Sequence, residues 1–376
     1  MEQIACLLAI HSLFGAANSS LKKVLDYYDG DAVTAWQDSG SWQQIVACDN
    51  VALTEVVHKK GAIDQEQLYQ QFLDADAHLV SIYDDHYPSL LKDIHNPPPL
   101  LFYRGTLPTD QELCIAMIGS RNATTYGRQV GQMLAHDLSM QGITVVSGMA
   151  RGIDSVCHKA ALAAGGRTIA VLGSGIDVVY PKENQALYQQ IINNGAVISE
   201  QPLGMDPLPR NFPLRNRIIS GLSRGVVVIE AGHKSGTLRT VDFALEQGRD
   251  VFAVPGNIIV ANCYGTNNLI KQGATIVTEA ADVVNIYQDD LCLLPQRIKE
   301  ADTKDEDNKD NCILSKDERI ILAKMIDPIS IEQLYSISGW EYPKLSMMLL
   351  LMEMRGLIAK DENQCYYALF SKYRSK

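Results

Sequence analysis

Between residues 114 and 254, short apolar runs alternate with stretches whose apolar positions fall three and four apart. The runs at 114–118, 143–147, 167–172, 196–199, 225–229 and 250–254 are rich in Val and Ile without polar alternation, so they predict strands buried on both faces. The intervening segments 130–141, 154–164, 184–193 and 238–247 carry the helical period. Strands regularly separated by helices predict a doubly wound α/β domain with a parallel sheet. Ahead of it, residues 1–76 space their apolar positions as short helices, with breaks at Gly15, Asp29-Gly30 and Ser39-Gly40-Ser41, and predict a small helical domain. Residues 77–288 hold the α/β domain, introduced by strand-like ends around a helix and a rigid Pro97-Pro98-Pro99 turn. Residues 289–314 are charged and poor in aromatics and read as an acidic linker. Residues 315–376 show three helices, at 315–325, 330–336 and 342–355, then a hairpin, which is the order of a winged helix.

Composition narrows the class without naming a function. The eight cysteines are scattered with no CxxC, which argues against a zinc site or a disulfide framework and fits a reducing cytoplasm. No run of eighteen apolar residues exists, and the opening MEQIACLLAIHSLF lacks a basic leader segment, so it predicts an amphipathic helix rather than a signal peptide. The net charge of −11 opposes a polyanionic partner only at face value. Much of the acid lies at Asp84-Asp85 and in the run 300–307, whereas residues 209–224 contain Arg210, Arg215, Arg217 and Arg224 and no carboxylate.

In an open parallel sheet, ligands bind at the carboxyl ends of the strands. Gly119-Ser120-Arg121, residues 148–152, Gly173-Ser174-Gly175 and Pro255-Gly256-Asn257 all fall at those ends. Glycine alone makes tight turns, but several such turns converging on one edge predict a site. Gly119-Ser120-Arg121 before a helix offers backbone N–H groups, a hydroxyl and a guanidinium to a phosphate. The stretch Arg210-Asn211-Phe212-Pro213-Leu214-Arg215-Asn216-Arg217, read as a loop ahead of a helix at 218–222, joins three guanidiniums to an aromatic plane, a combination suited to single-stranded nucleic acid. Ser235, Gly236 and Thr237 open the next helix and admit a phosphate closely. Gly173-Ser174-Gly175 lacks the third glycine of a dinucleotide fingerprint, since Val178 stands there, and no GxxxxGK[ST] occurs; neither a nicotinamide or flavin cofactor nor ATP turnover is expected. Asp154 and His158, four apart on a predicted helix, are read as a structural pair with Asp154 capping and orienting His158, and Cys157 as a core thiol.

Together these stretches resemble the DprA (DNA-processing protein A, or Smf) family. The likeness runs from about Tyr87 to Ala281 through GSR at 119–121, SGMARGID from Ser147, VLGSGIDVVYP from Val171, SEQP from Ser199, FPLRNRIISGLS from Phe212, VIEA from Val228, SGTL from Ser235, VFAVPG from Val251 and GTNNLIKQGA from Gly265. The resemblance implies an extended Rossmann-like fold flanked by a SAM-like helical domain and a winged helix. It implies a homodimer that binds single-stranded DNA, protects incoming strands in natural transformation and helps load the RecA recombinase. Carried over residue by residue, its DNA pocket falls on Arg121, Lys182, Phe212, Arg215 and Asn216. Gly119, Ser120, Arg210, Arg217, Ser235, Gly236 and Thr237 complete the candidate set; no catalytic residue, metal or cofactor is assigned.

Two departures stand out. Phe14-Gly15-Ala16-Ala17 lacks the paired glycines of a helix–hairpin–helix turn, and the third winged-helix helix carries only Lys344 and Arg355 as basic residues, a poor reading head for a major groove. An enzymatic alternative is a LOG-like nucleoside-monophosphate phosphoribohydrolase with its PGGxGTxxE loop. Here Ser235-Gly236-Thr237-Leu238-Arg239-Thr240 puts Thr240 at the glutamate's place, without the carboxylate that N-glycosidic chemistry needs.

Overall fold

The computed structural model describes residues 2–46, 56–233, 235–288, 316–325, 328–354, 357–361 and 365–368. The acidic segment expected at 289–314 lies outside the described residues. Nine strands form the main sheet: β1 (His78–Ser81), β2 (Leu100–Gly105), β3 (Cys114–Gly119), β4 (Thr144–Ser147), β5 (Thr168–Leu172), β6 (Gly195–Ser199), β7 (Gly225–Glu230), β8 (Asp250–Ala253) and β9 (Thr275–Ile276). Their order is β1-β2-β6-β5-β4-β3-β7-β8-β9. The seven strands from β3 to β9 pair in parallel. The predicted parallel sheet is therefore correct for its body, but β2 runs antiparallel to β6 and β1 antiparallel to β2. β1 and β2 are joined by residues 82–99, which carry a short helix and the proline segment.

β4, β5, β6 and β7 are buried along their whole lengths and β3 up to its last residue, Gly119, as strands covered on both faces must be. The strand order reverses between β3 and β7, which makes their carboxyl ends the switch point where a crevice opens. A register shift between Ile118 and Gly119 re-aims the end of β3 there.

The N-terminal helices α1 (Glu2–Phe14), α2 (Ser19–Tyr27), α3 (Ala32–Gln37) and α4 (Gln65–Asp74) enclose Trp42, Phe14, Leu21 and Leu25. Asn18, Asp31 and Asp64 cap α2, α3 and α4 with their side chains. This core is continuous with the sheet: Leu100 of β2 belongs to it, while Leu8 and Phe72 pack with Phe102 and Tyr188.

The connecting helices are α5 (Thr125–Met140), α6 (Ile153–Ala163), α7 (Gln185–Asn193), α8 (Asn211–Gly221), α9 (Thr237–Glu246) and α10 (Tyr264–Lys271). α8 corrects the expected loop. It begins seven residues before Ile218, since proline at the third helical position loses no hydrogen bond that a first turn makes. The stripe Asn211, Arg215, Ile218, Ile219 and Leu222 is buried along its inner face.

The C-terminal unit comprises α11 (Lys316–Lys324), α12 (Ile331–Ser338), α13 (Tyr342–Met354) and an antiparallel hairpin of β10 (Ile358–Lys360) and β11 (Tyr366–Ala368). Ser330 and Gln333 form a reciprocal capping box at α12. Leu334, Leu345, Leu349 and Met352 fill its core. α13 directs Met347, Leu350 and Leu351 outward, and its Lys344 is bound to Asp317 at 2.8 Å.

Candidate nucleic-acid interface

β3 delivers Gly119 to the switch point, and the following turn leaves Ser120 half-buried and Arg121 exposed. Ser120 Oγ accepts the amide of Asn122 at 3.2 Å, which holds the turn. Gly152, at φ +79°, passes so close that a Cβ there would lie 2.2 Å from the Ser120 carbonyl oxygen. The third strand end contributes Gly173, where a Cβ would meet the Phe212 ring at 3.0 Å. Glycine at these two positions lets the backbone approach the Arg121 turn and lets the aromatic ring settle on the end of β5.

Phe212 is the centre of the arrangement. It is half-buried on the first turn of α8, with the Arg121 guanidinium 5.4 Å from its ring centroid and the Tyr180 ring 5.6 Å away at 48°. A cation poised over an aromatic face is electrostatically favourable. Lys182 is exposed two residues after Tyr180. Its neighbour Glu183 is engaged in a two-point ion pair with Arg151, at 2.5 and 2.7 Å, so that carboxylate is neutralised beside the cleft. Thr237, at the start of α9, donates through Oγ1 to the Gly119 carbonyl at 3.1 Å and through its amide to Ser235 Oγ at 3.2 Å. The structure thus brings Gly119, Ser120, Arg121, Phe212 and Thr237 into one neighbourhood. Gly236 and Arg210 are exposed, Asn216 is half-buried beyond Phe212 on α8, and none of these three shows a side-chain tie to the cleft.

Arg215 and Arg217, expected as phosphate ligands, are buried and engaged by the protein itself. Arg215 is 5% exposed and donates to the carbonyls of Gly148, at 2.9 Å, and Val171. Burial lowers its pKa to about 10, with the Asp154 charge opposing and the Arg121 charge adding to that shift. Arg217 is 4% exposed, with its guanidinium 2.6 Å from the Glu200 carboxylate and 2.9 Å from the Asn96 carbonyl. Their charge serves the backbone ends of β4 and β5 and the buried Glu200, because α8 turns both side chains inward. Glu200 also accepts the Ala17 amide at 3.0 Å, so the turn after α1 docks on the end of β6.

The Asp154–His158 reading also needs correction. Asp154 accepts the Ala150 amide at 3.3 Å rather than capping α6, whose N-cap is Gly152. His158 meets Thr168 Oγ1 at 2.7 Å. Burial raises the Asp154 carboxyl and lowers the His158 ring to about 3, and it pushes the Cys157 thiol well above its ordinary value. A buried neutral imidazole and an un-ionised thiol are poorly suited to acid–base or nucleophilic chemistry. Tyr180 is the one ring of the cleft left out of the candidate set. Its signal was present, because it directly precedes Pro181 and Lys182 in the motif from Val171.

These features define an extended doubly wound α/β protein with an aromatic–cationic cleft at its switch point and a winged-helix unit after it. The chain belongs to the DNA recombination-mediator protein A family, whose profile matches residues 78–288, and a DprA winged-helix domain profile matches residues 306–363. It is 41% identical over 274 residues to DNA processing protein DprA of Streptococcus pneumoniae, covering 73% of this chain and 95% of that one. With protein Smf of Escherichia coli it shares 38% identity over 291 residues, covering 75% of each. Among solved structures, DprA of Streptococcus pneumoniae superposes with a TM-score of 0.64 at 39% identity, over 71% of this chain and 92% of that one. DNA processing protein A of Helicobacter pylori, described for its single-stranded DNA binding mode, gives a TM-score of 0.51 at 28% identity, over 57% of this chain and 96% of that one.

Proposed function

We propose that this chain binds single-stranded DNA at the carboxyl edge of its sheet and takes part in processing incoming strands during transformation. The observation that carries the reading is the cluster of Phe212 with the exposed Arg121 guanidinium and the exposed Tyr180 ring at the strand ends. A base stacks on such rings whatever its identity, while Arg121 and Lys182 meet the backbone phosphates, giving sequence-tolerant binding. The single-stranded DNA described for the Helicobacter pylori relative supports the same ligand class here. In the same reading the bound strand is passed to the RecA recombinase, and the working form is a homodimer in the cytoplasm. No described helix is long and apolar enough to cross a membrane. Thr240 is buried on α9, so the position of the hydrolase glutamate offers no carboxylate to a substrate. The test is fluorescence anisotropy of the full chain with labelled oligo-dT and with duplex, across several salt concentrations. Tighter binding of the single strand, weakening linearly on a log–log salt plot, is the expected result. Equal affinity for duplex and single strand would overturn it.

A further inference from the structure

The connection leaving β8 carries a feature the cleft does not use. Ile258 and Ile259 stand side by side at its tip with 88% and 85% of their surfaces exposed. Two adjacent bare isoleucines are a cost to a free surface. The tip is nevertheless held in place. Gly256 exchanges two hydrogen bonds with the Asn267 side chain, at 3.1 and 2.9 Å, and Asn257 Oδ1 accepts the Ile259 amide at 3.1 Å. The same connection is tied to the cleft, since Asn262 Nδ2 donates to the Asn122 carbonyl at 2.8 Å and the Asn262 carbonyl accepts the Ala231 amide at 2.8 Å. β8 lies two strands from β3, about 10 Å across the sheet.

The charge around the tip selects its occupant. The connections after β3, β7 and β8 span 119–125, 231–237 and 254–263 and contain no Asp or Glu, in a chain whose net charge is −11. Arg121 and His233 are exposed on them instead, and Glu230 at the end of β7 is buried. A specific protein partner needs about 800 Å² per side, whereas this apolar tip is four residues long between Asn257 and Asn262, with Val260 half-buried and the small Ala261 beside the two isoleucines. Small apolar wedges of this kind fit between bases.

We propose that Ile258 and Ile259 form a wedge that receives bases of a single strand after it leaves the Phe212 cleft and crosses the ends of β7 and β8. The inference rests on the single-strand reading above and adds a second contact, made with bases and not with phosphates. A strand too short to leave the cleft does not reach it.

The test uses the full chain with Ile258 and Ile259 both changed to Ala, a substitution of exposed side chains whose melting temperature is checked against wild type. Three labelled probes are titrated: oligo-dT of about twenty nucleotides, oligo-dT of about four, and an abasic deoxyribose-phosphate strand matching the longer one. The expected result is an affinity for the long oligo-dT reduced about tenfold, with an unchanged salt slope and unchanged binding of the other two probes. As a second measurement, an Ile259→Trp variant is expected to lose tryptophan emission on adding long oligo-dT and to keep it with the abasic strand. If the double variant binds long oligo-dT as wild type does while Arg121→Ala binds it weakly, the wedge is wrong and the cleft stands. If neither variant weakens binding, the cleft assignment fails as well. A loss of binding that coincides with a changed sedimentation coefficient would instead make the tip a contact between copies, and would also overturn the inference.

Discussion

At the scale of single residues, the arginines divide by where their charge ends. Arg121 is exposed over the Phe212 ring, so Arg121→Ala is expected to leave melting near wild type. It should weaken oligo-dT binding and flatten the salt slope by about 0.7, one phosphate's share. Phe212→Ala removes a stacking face and is expected to cost about 1–3 kcal/mol in binding with the slope nearly unchanged. Arg217→Ala strands the buried Glu200 carboxylate and is expected to destabilise the fold by about 3–5 kcal/mol in urea titration, a loss that a binding assay alone would misread. Buried imidazoles add a pH dependence. Burial lowers His11 to about 4, against the opposing Glu200 charge, and lowers His158 to about 3. Both sit below the unfolded value near 6.5, so as pH falls through that value the unfolded chain takes up protons that the folded chain refuses. Stability is therefore full above about pH 7 and falls by up to about 1.4 kcal/mol per pH unit per histidine until the folded pKa is reached. Urea midpoints at neutral pH and near pH 5 measure this, and a midpoint indifferent to pH would show that neither ring is buried neutral.

Among the elements, α8 shows what the sequence made legible and what it hid. Strands β3 to β8 are readable because uninterrupted Val and Ile runs admit few other structures, and the observed bounds differ from the expected ones by a residue or so. The start of α8 was hidden because Arg210, at its N-cap, makes no side-chain cap, and proline reads as a break when it stands in a first turn. Once the helix is extended back to Asn211, the spacing Asn211, Arg215, Ile218, Ile219, Leu222 places Arg215 inside. The cleft was legible as a set of residue types at strand ends; the direction of each guanidinium was not, because direction follows from the helical phase. The Arg121 turn shows the same dependence on neighbours. Gly152→Ala puts a methyl group against the Ser120 carbonyl at a φ that alanine resists, so a loss of at least about 1–3 kcal/mol in stability is expected, together with weaker oligo-dT binding. Wild-type melting in that variant would mean the turn yields without strain.

For the molecule as a whole, the sheet and its helices are complete within residues 78–288, and the winged-helix unit has a core of its own. A chain ended at Lys304 is expected to stay folded and to bind oligo-dT as the full chain does; aggregation or lost affinity would assign the winged helix a part in the cleft. The opposite end behaves differently. Residues 1–76 read as a separate domain, yet Leu8 and Phe72 pack with Phe102 and Tyr188, Leu100 lies in the core around Trp42, and Ala17 is bonded to Glu200. The boundary in the sequence is thus not a boundary in the packing. Anyone dividing this protein for expression will find the two ends unequal: a chain begun at His78 would uncover greasy surface on the sheet, and the helices alone would carry the matching half. The N-terminal helices are better regarded as a lid fastened over one flank of the sheet than as a bead on a string, and solubility is where that fastening would first be missed.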